Sequence, residues 1–160
     1  MDNKSILSGI REHNVTDVVA KLKQALSAEY FAYNMYRSAY FRLKGPRRSV
    51  VIDELWEHAK EELEHADALE ERIMILGGDT FTDPTEWDVW NQSDIPSITS
   101  SDITDIAKVI EDSEQYSVDM YTQLFNELDS DPVSQDIILE ILTKEQEHLY
   151  DVKYNIKGSI

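Results

Sequence analysis

The sequence predicts an all-α chain folded as an antiparallel four-helix bundle, two helical hairpins joined by a long crossover. Three observations carry this. Apolar residues recur at alternating spacings of four and three through four long segments, Gly and Pro fall outside those segments or at their first position, and the second half of the chain repeats the first. At 160 residues, one domain with one core is expected.

Each element follows from its punctuation. Helix A is expected over residues 17–44, after Thr16, and stops at Gly45-Pro46, because Gly suits the position after a helix end and Pro cannot continue the helix. Helix B follows over 49–76 and ends at Gly77-Gly78. So short an A–B connection makes the two helices antiparallel neighbours. Residues 77–101 hold Pro84, Pro96 and several turn formers and read as the crossover. Helix C spans 102–128 behind a Ser101 or Asp102 cap. Helix D spans 132–157, with Asp131 as cap and Pro132 at the first helical position, and ends before Gly158.

Composition removes several function classes. Cysteine is absent, which excludes disulfides, thiol catalysis, Cys-based zinc sites and Cys-ligated iron–sulfur centres. The N-terminus MDNKSILSGIREHNV lacks a cationic segment followed by an apolar run, and no stretch is long and apolar enough for a membrane span, so a cytoplasmic protein is expected. A formal charge of −17 repels phosphate backbones and attracts cations, so no nucleic-acid partner is expected. The basic cluster Arg42, Lys44, Arg47 and Arg48 reads as a solvated turn.

The repeat is specific. Glu29-Tyr-Phe-Ala-Tyr-Asn-Met-Tyr36 in helix A matches Glu114-Gln-Tyr-Ser-Val-Asp-Met-Tyr121 in helix C, and Glu62-Leu-Glu-His65 in helix B matches Glu145-Gln-Glu-His148 in helix D. A pseudo-twofold bundle is expected. Its core stripes read Val18, Leu22, Ala25, Glu29, Ala32, Tyr36, Ala39, Leu43 in A and Leu55, Ala59, Glu62, Ala66, Leu69, Ile73 in B. They continue as Ile103, Ala107, Ile110, Glu114, Ser117, Tyr121, Leu124, Leu128 in C and Ile138, Leu142, Glu145, Leu149, Val152, Ile156 in D. Each stripe carries one Glu where a bundle calls for an apolar residue.

Four ionised carboxylates at one level of a core are intolerable without counter-charge. Two divalent cations balance them, and two neutral imidazoles complete the ligand set without adding charge. His65 and His148 each follow a core Glu by three residues, a spacing that puts both side chains on one helical face. A Glu from each of two helices and Glu-x-x-His from each of the other two is the ligand inventory of carboxylate-bridged dimetal bundles. Glu29, Glu62, His65, Glu114, Glu145 and His148 are therefore the expected metal ligands. The oxygen-rich set suits iron, with manganese the alternative, over four-coordinate structural zinc.

With these residues, the chain resembles the ferritin-like superfamily over about residues 16–157, and within it the bacterioferritin and Dps-like branch with two Glu-x-x-His motifs. The resemblance implies one ferritin-like domain and two Fe ions per subunit, with Glu62 and Glu145 bridging and Glu29 and Glu114 terminal. It also implies ferroxidase chemistry, Fe(II) oxidised by O2 or H2O2, with mineral stored in a homo-oligomeric shell that protects against oxidative stress. Tyr36 matches a tyrosine placed beside the metals in such sites and joins the six ligands as a catalytic candidate. Tyr121 is its partner in the repeat, and core packing is the competing role for both. Leu63 stands where bacterioferritin has its haem-ligating Met, so no haem is expected. Only 12 residues follow His148, leaving no room for a fifth helix, which favours a 12-subunit cage over a 24-mer. The alternative is a rubrerythrin-like dimetal peroxidase or oxidase without mineral storage. Trp87 and Trp90 are expected to pack the crossover or a subunit contact. His13 and His58 are expected in ordinary surface or core roles, and Glu57, Glu61, Glu64, Glu70 and Glu71 on a solvated face, with lining of an iron path or the cage wall as the alternative.

Overall fold

The structure, a computed structural model, describes the backbone of residues 12–159 and the side chains of residues 14–159. The N-terminal segment read above for a leader, and the side chain of His13, lie outside the described residues.

Among the described residues five α-helices follow one another: α1 (Glu12–Arg42), α2 (Arg48–Ile75), α3 (Thr85–Trp90), α4 (Ile103–Glu127) and α5 (Pro132–Asp151). Helices α1 and α2 pack as one hairpin and α4 and α5 as the other, with α1 against α4 and α2 against α5 between them. The described residues contain no strand. All members of the four sequence stripes are buried except Leu149, which is half-buried. At 1.5–3 kcal/mol for each large apolar side chain removed from water, as an order of magnitude, these stripes hold the bundle together.

Local chemistry sets the ends. Gly77 follows α2 at φ +82, a left-handed conformation that a Cβ disfavours, and the Gly78 N–H bonds back to the Ile73 carbonyl at 2.9 Å, closing the helix. Asp102 caps α4 by accepting the Thr104 N–H at 2.8 Å. Asp131 precedes α5 but does not cap it through its side chain. Its carboxylate is turned into the bundle instead, where both oxygens accept from the Arg72 Nη2 (2.9 and 2.8 Å) and the Ser134 hydroxyl donates to it. All three residues are buried. This network bolts the start of α5 to the end of α2.

Two features go beyond the sequence reading. The crossover contains α3, whose Trp87 stacks on Tyr30 (centroids 4.6 Å apart) and accepts the Ser27 hydroxyl at its carbonyl (2.7 Å); Lys23 lies over the Trp90 ring. The last helix, expected as α-helix to residue 157, passes after Asp151 into a π-helical turn, Val152–Ile156, and a 3-10 turn, Lys157–Ser159. The wider turn keeps Val152 and Ile156 buried.

The apolar core lies in two parts. One gathers around Leu22, Leu26, Leu69, Ile73, Tyr121 and Leu124, the other around Tyr36, Leu43, Leu55, Ile106, Ile110 and Val152. The glutamates lie on the same buried stripes, between the apolar residues that precede and follow them.

Candidate metal centre

All six expected ligands are buried: Glu29, Glu62, Glu114 and Glu145 expose 1% or less, His148 2% and His65 8%. Each carboxylate comes from a different long helix, and each imidazole sits one turn beyond a glutamate on α2 or α5. The six converge as two overlapping groups. Glu29, Glu62, His65 and Glu145 form one and Glu62, Glu114, Glu145 and His148 the other, with donor atoms in each group within 4.8 Å of one another. Glu62 and Glu145 belong to both.

The donor atoms crowd together, and His65 Nδ1 lies within hydrogen-bond distance of Glu29 Oε2. His65 Nδ1 stands 3.3 Å from Glu29 Oε2, 3.3 Å from Glu62 Oε2 and 3.2 Å from Glu145 Oε1, and His148 Nδ1 stands 3.3 Å from Glu62 Oε1. Yet both Glu62 oxygens, Glu114 Oε2, Glu145 Oε1 and His148 Nδ1 are buried with no hydrogen-bond partner. So many orphaned acceptors in one place are costly unless something positive sits between them. The residues present therefore fit a pair of cations.

The electrostatics of the protein groups agree. Burial, and then the Glu62 charge, pushes both Glu29 and Glu145 up to about 8. Burial and Glu145 raise Glu114 well above the usual carboxylate range. Burial works the same way on Glu62, but the neighbouring His148 and His65 imidazoles outweigh it and hold this carboxyl low. Against burial, Glu61 and Glu62 push the His148 imidazole up to about 12, and Glu145, Glu29 and Glu62 raise His65. Without metal, protons supply the positive charge.

Tyr36 and Tyr121 cross the repeat. The Tyr36 hydroxyl donates to Glu114 Oε1, and the Tyr121 hydroxyl donates to Glu29 Oε1. Each tyrosine fixes the glutamate of the opposite half. Burial first, then neighbouring carboxylates, hold both phenols well above their ordinary pKa, so both stay donors.

Two residues touch the site in ways the sequence did not show. Glu61 Oε2 lies 2.7 Å from His148 Nε2, leaving Nδ1 aimed at the carboxylates. His58 takes the core rather than the surface role and places Nδ1 3.1 Å from the Tyr36 hydroxyl while its ring stacks on His148 at 4.2 Å. Burial and then the His148 charge lower His58 to about 4. The available signal was position: Glu61 precedes Glu62, and His58 lies one turn before it on the same face. An open groove of about 490 Å³, lined by Glu61, Glu64, His65, Ala68, Ile141 and Lys144 among others, reaches His65 from outside.

A buried carboxylate–imidazole cluster inside an antiparallel helical bundle defines a class, and comparison identifies it: residues 19–157 match the ferritin-like domain family, to which this chain belongs. The DNA protection during starvation protein of Pyrococcus furiosus is 31% identical over 144 residues, covering 88% of this chain and 76% of that protein. Among solved structures, a dodecameric thioferritin from Bacteroides fragilis, described as bacterioferritin-related, is 28% identical with a TM-score of 0.87, covering 98% of this chain and 92% of that one. Dps from Staphylococcus aureus shares the fold at a TM-score of 0.81 and 19% identity, covering 88% and 95%. No described helix is long and apolar enough to cross a membrane.

Proposed function

We propose that the chain is a ferroxidase that stores and detoxifies iron in an oligomeric cage. Glu29 and His65 would hold one Fe(II), Glu114 and His148 the other, with Glu62 and Glu145 bridging. The observation that carries the reading is the pair of four-residue groups sharing those two glutamates. Iron here is substrate: two Fe(II) held together deliver two electrons at once to O2 or H2O2, which avoids one-electron products.

The protein's own residues supply position and charge. Four carboxylates and two neutral imidazoles balance two divalent ions, the two tyrosines orient the terminal glutamates, and Glu61 fixes which His148 nitrogen faces inward. The Glu61–Glu64 groove offers Fe(II) an acidic approach. We extend the cage from the thioferritin comparison and propose twelve subunits. The charge of −17 disfavours contact with phosphate backbones, so protection of DNA would come from removing iron and peroxide rather than from binding.

Aerobic addition of Fe(II) tests the chemistry. Wild type should develop a ferric absorbance rapidly, whereas Glu62→Ala and His148→Ala should not; equal rates would overturn the reading. Sedimentation tests the cage, since a monomer or dimer encloses no cavity and would favour the rubrerythrin-like alternative.

A further inference from the structure

Between α1 and α4, under the crossover, lies a cavity of about 100 Å³. Asn34, Ser38, Ser113 and Ser117 give its wall an amide and hydroxyls, and Phe31 and Met35 give it apolar surface. No acidic or basic side chain lines it, in a chain with 32 acidic and 15 basic residues. We propose that this cavity binds hydrogen peroxide and passes it to the dinuclear site beside Ser117. The second step rests on the dinuclear reading.

The cavity has a defined place in the repeat. The register that carries Glu29 onto Glu114 carries Ala28 onto Ser113 and Phe31 onto Tyr116, and all four of these neighbours line the cavity. It therefore lies on the pseudo-twofold axis at the level of Glu29 and Glu114. The acidic groove at Glu61 and Glu64 lies across the bundle, between α2 and α5. Ser117 joins cavity to core. It lines the cavity and belongs to the same buried stripe as Glu114, one turn before it, and Tyr121, one turn after it.

The Ser117 side chain points to a ligand. It is 5% exposed, and its hydroxyl has no hydrogen-bond partner among the described residues, a costly state for a buried polar group. Its mate in the repeat, Ala32, is equally buried and does not line the cavity, so packing at this position asks for no hydroxyl. Uncharged walls give Fe2+ nothing to replace its water shell, and O2 gains little from hydroxyls. Peroxide is neutral, donates two hydrogens and accepts on both oxygens, and a serine hydroxyl can answer either way. The volume exceeds what one molecule of water's size needs. At the iron pair the O–O bond would break, taking one electron from each Fe(II) and two protons from solvent to give two waters.

The methionines supply a test that needs no metal. Met35 lines the cavity at 8% exposure, whereas its repeat mate Met120, at 5%, does not, and Met74 is exposed. Peroxide transfers an oxygen atom to a thioether, giving sulfoxide and water. In chelator-treated full chain treated with H2O2 and read by peptide mass spectrometry, Met35 should oxidise at least about fivefold faster than Met120. Ser113→Phe, which fills the cavity, should protect Met35 while Met74 oxidises at the wild-type rate. In Fe(II)-loaded protein, the same variant should slow peroxide-driven iron oxidation. Ser117→Ala, whose packing Ala32 already shows to be tolerated, should raise the peroxide concentration for half-maximal rate roughly threefold to tenfold, the worth of one hydrogen bond. Equal oxidation of Met35 and Met120 in wild type, or a peroxide dependence unchanged by both substitutions, overturns the proposal. Glu62→Ala separates it from the dinuclear reading: if that variant oxidises iron with peroxide as fast as wild type while Met35 stays selectively oxidised, the cavity stands and the dinuclear reading fails.

Discussion

Glu61 should control one metal position and not the other. Its carboxylate accepts from His148 Nε2 at 2.7 Å, while His65, which occupies the equivalent place in the repeat, has no recorded partner at Nε2 among the described residues. Partners of this kind fix the tautomer and ring angle of a ligating imidazole, and their loss weakens metal affinity by roughly 10- to 100-fold. That is about 1.4–2.7 kcal/mol. Glu61→Ala should therefore weaken the His148 position by this factor and leave the His65 position within a few-fold of wild type. Competition of Co2+ between the protein and a fluorescent chelator, fitted to sequential steps, reads both positions. Loss of a negative charge near the site weakens both slightly, and two controls remove this effect. Glu64→Gln deletes a charge on the exposed face of the same helix, and Glu61→Gln deletes the charge but retains an acceptor oxygen. Glu61→Gln should recover most of the affinity lost in Glu61→Ala. Equal weakening of both positions, or identical behaviour of the Ala and Gln variants, would refute the assignment.

Arg72→Met should leave the buried Asp131 carboxylate unpaired, at a cost of about 3–5 kcal/mol. Calorimetry of chelator-treated protein should show a Tm roughly 6–20 °C lower, and a drop under about 2 °C would rule the network out as a stabiliser. Burial would raise the Asp131 carboxyl, but Ser134 and Arg72 hold it below its ordinary value; the unfolded chain thus takes up a proton first, and this stabilisation, present above about pH 4, disappears as pH falls through the lower folded value. The metal site has the opposite sign. With Glu29 and Glu145 raised to about 8, the metal-free fold holds protons that the unfolded chain releases, so its stability declines as pH rises from about 4.5 toward 8. Metal must displace those protons, so the rise in Tm on adding Zn2+ should be larger at pH 8 than at pH 6, and equal shifts would contradict it.

The bundle was legible because its periodicity is long and redundant. Every stripe residue except Leu149 is buried, and the glutamates stood out because each interrupts an apolar stripe at matching places in the repeat. What stayed hidden depended on tertiary partners. Asp131 reads locally as a cap, but Arg72, distant in sequence, offers it a stronger bond than the helix amides do. Helix α3 is one and a half turns long and exposes no periodicity to read; Trp87 docks it on Tyr30. The π turn after Asp151 has no Pro or Gly to announce it.

The repeat was plain in sequence, but departures from it shape the surroundings of the site. The proposed ligands obey the pseudo-twofold, as do the tyrosines that cross it, Tyr36 to Glu114 and Tyr121 to Glu29. Their neighbours do not. On the His65 side, Ala68 and Ile141 line a groove that opens to solvent, and His65 is the most exposed of the six. On the His148 side, Glu61 grips the imidazole, His58 covers it and Asp151 lies behind. A symmetric set of proposed ligands in an asymmetric shell would give the two proposed metal positions equal charge but unequal access and unequal rigidity. Exchange with solvent should then be easier at His65, while His148 is the better anchored ligand. Sequence reasoning sees the symmetric part first, because repeats are found by matching; the asymmetric part appears only when each unmatched pair, His58 with Ile141 or Asp151 with Ala68, is seen beside the ligand it touches.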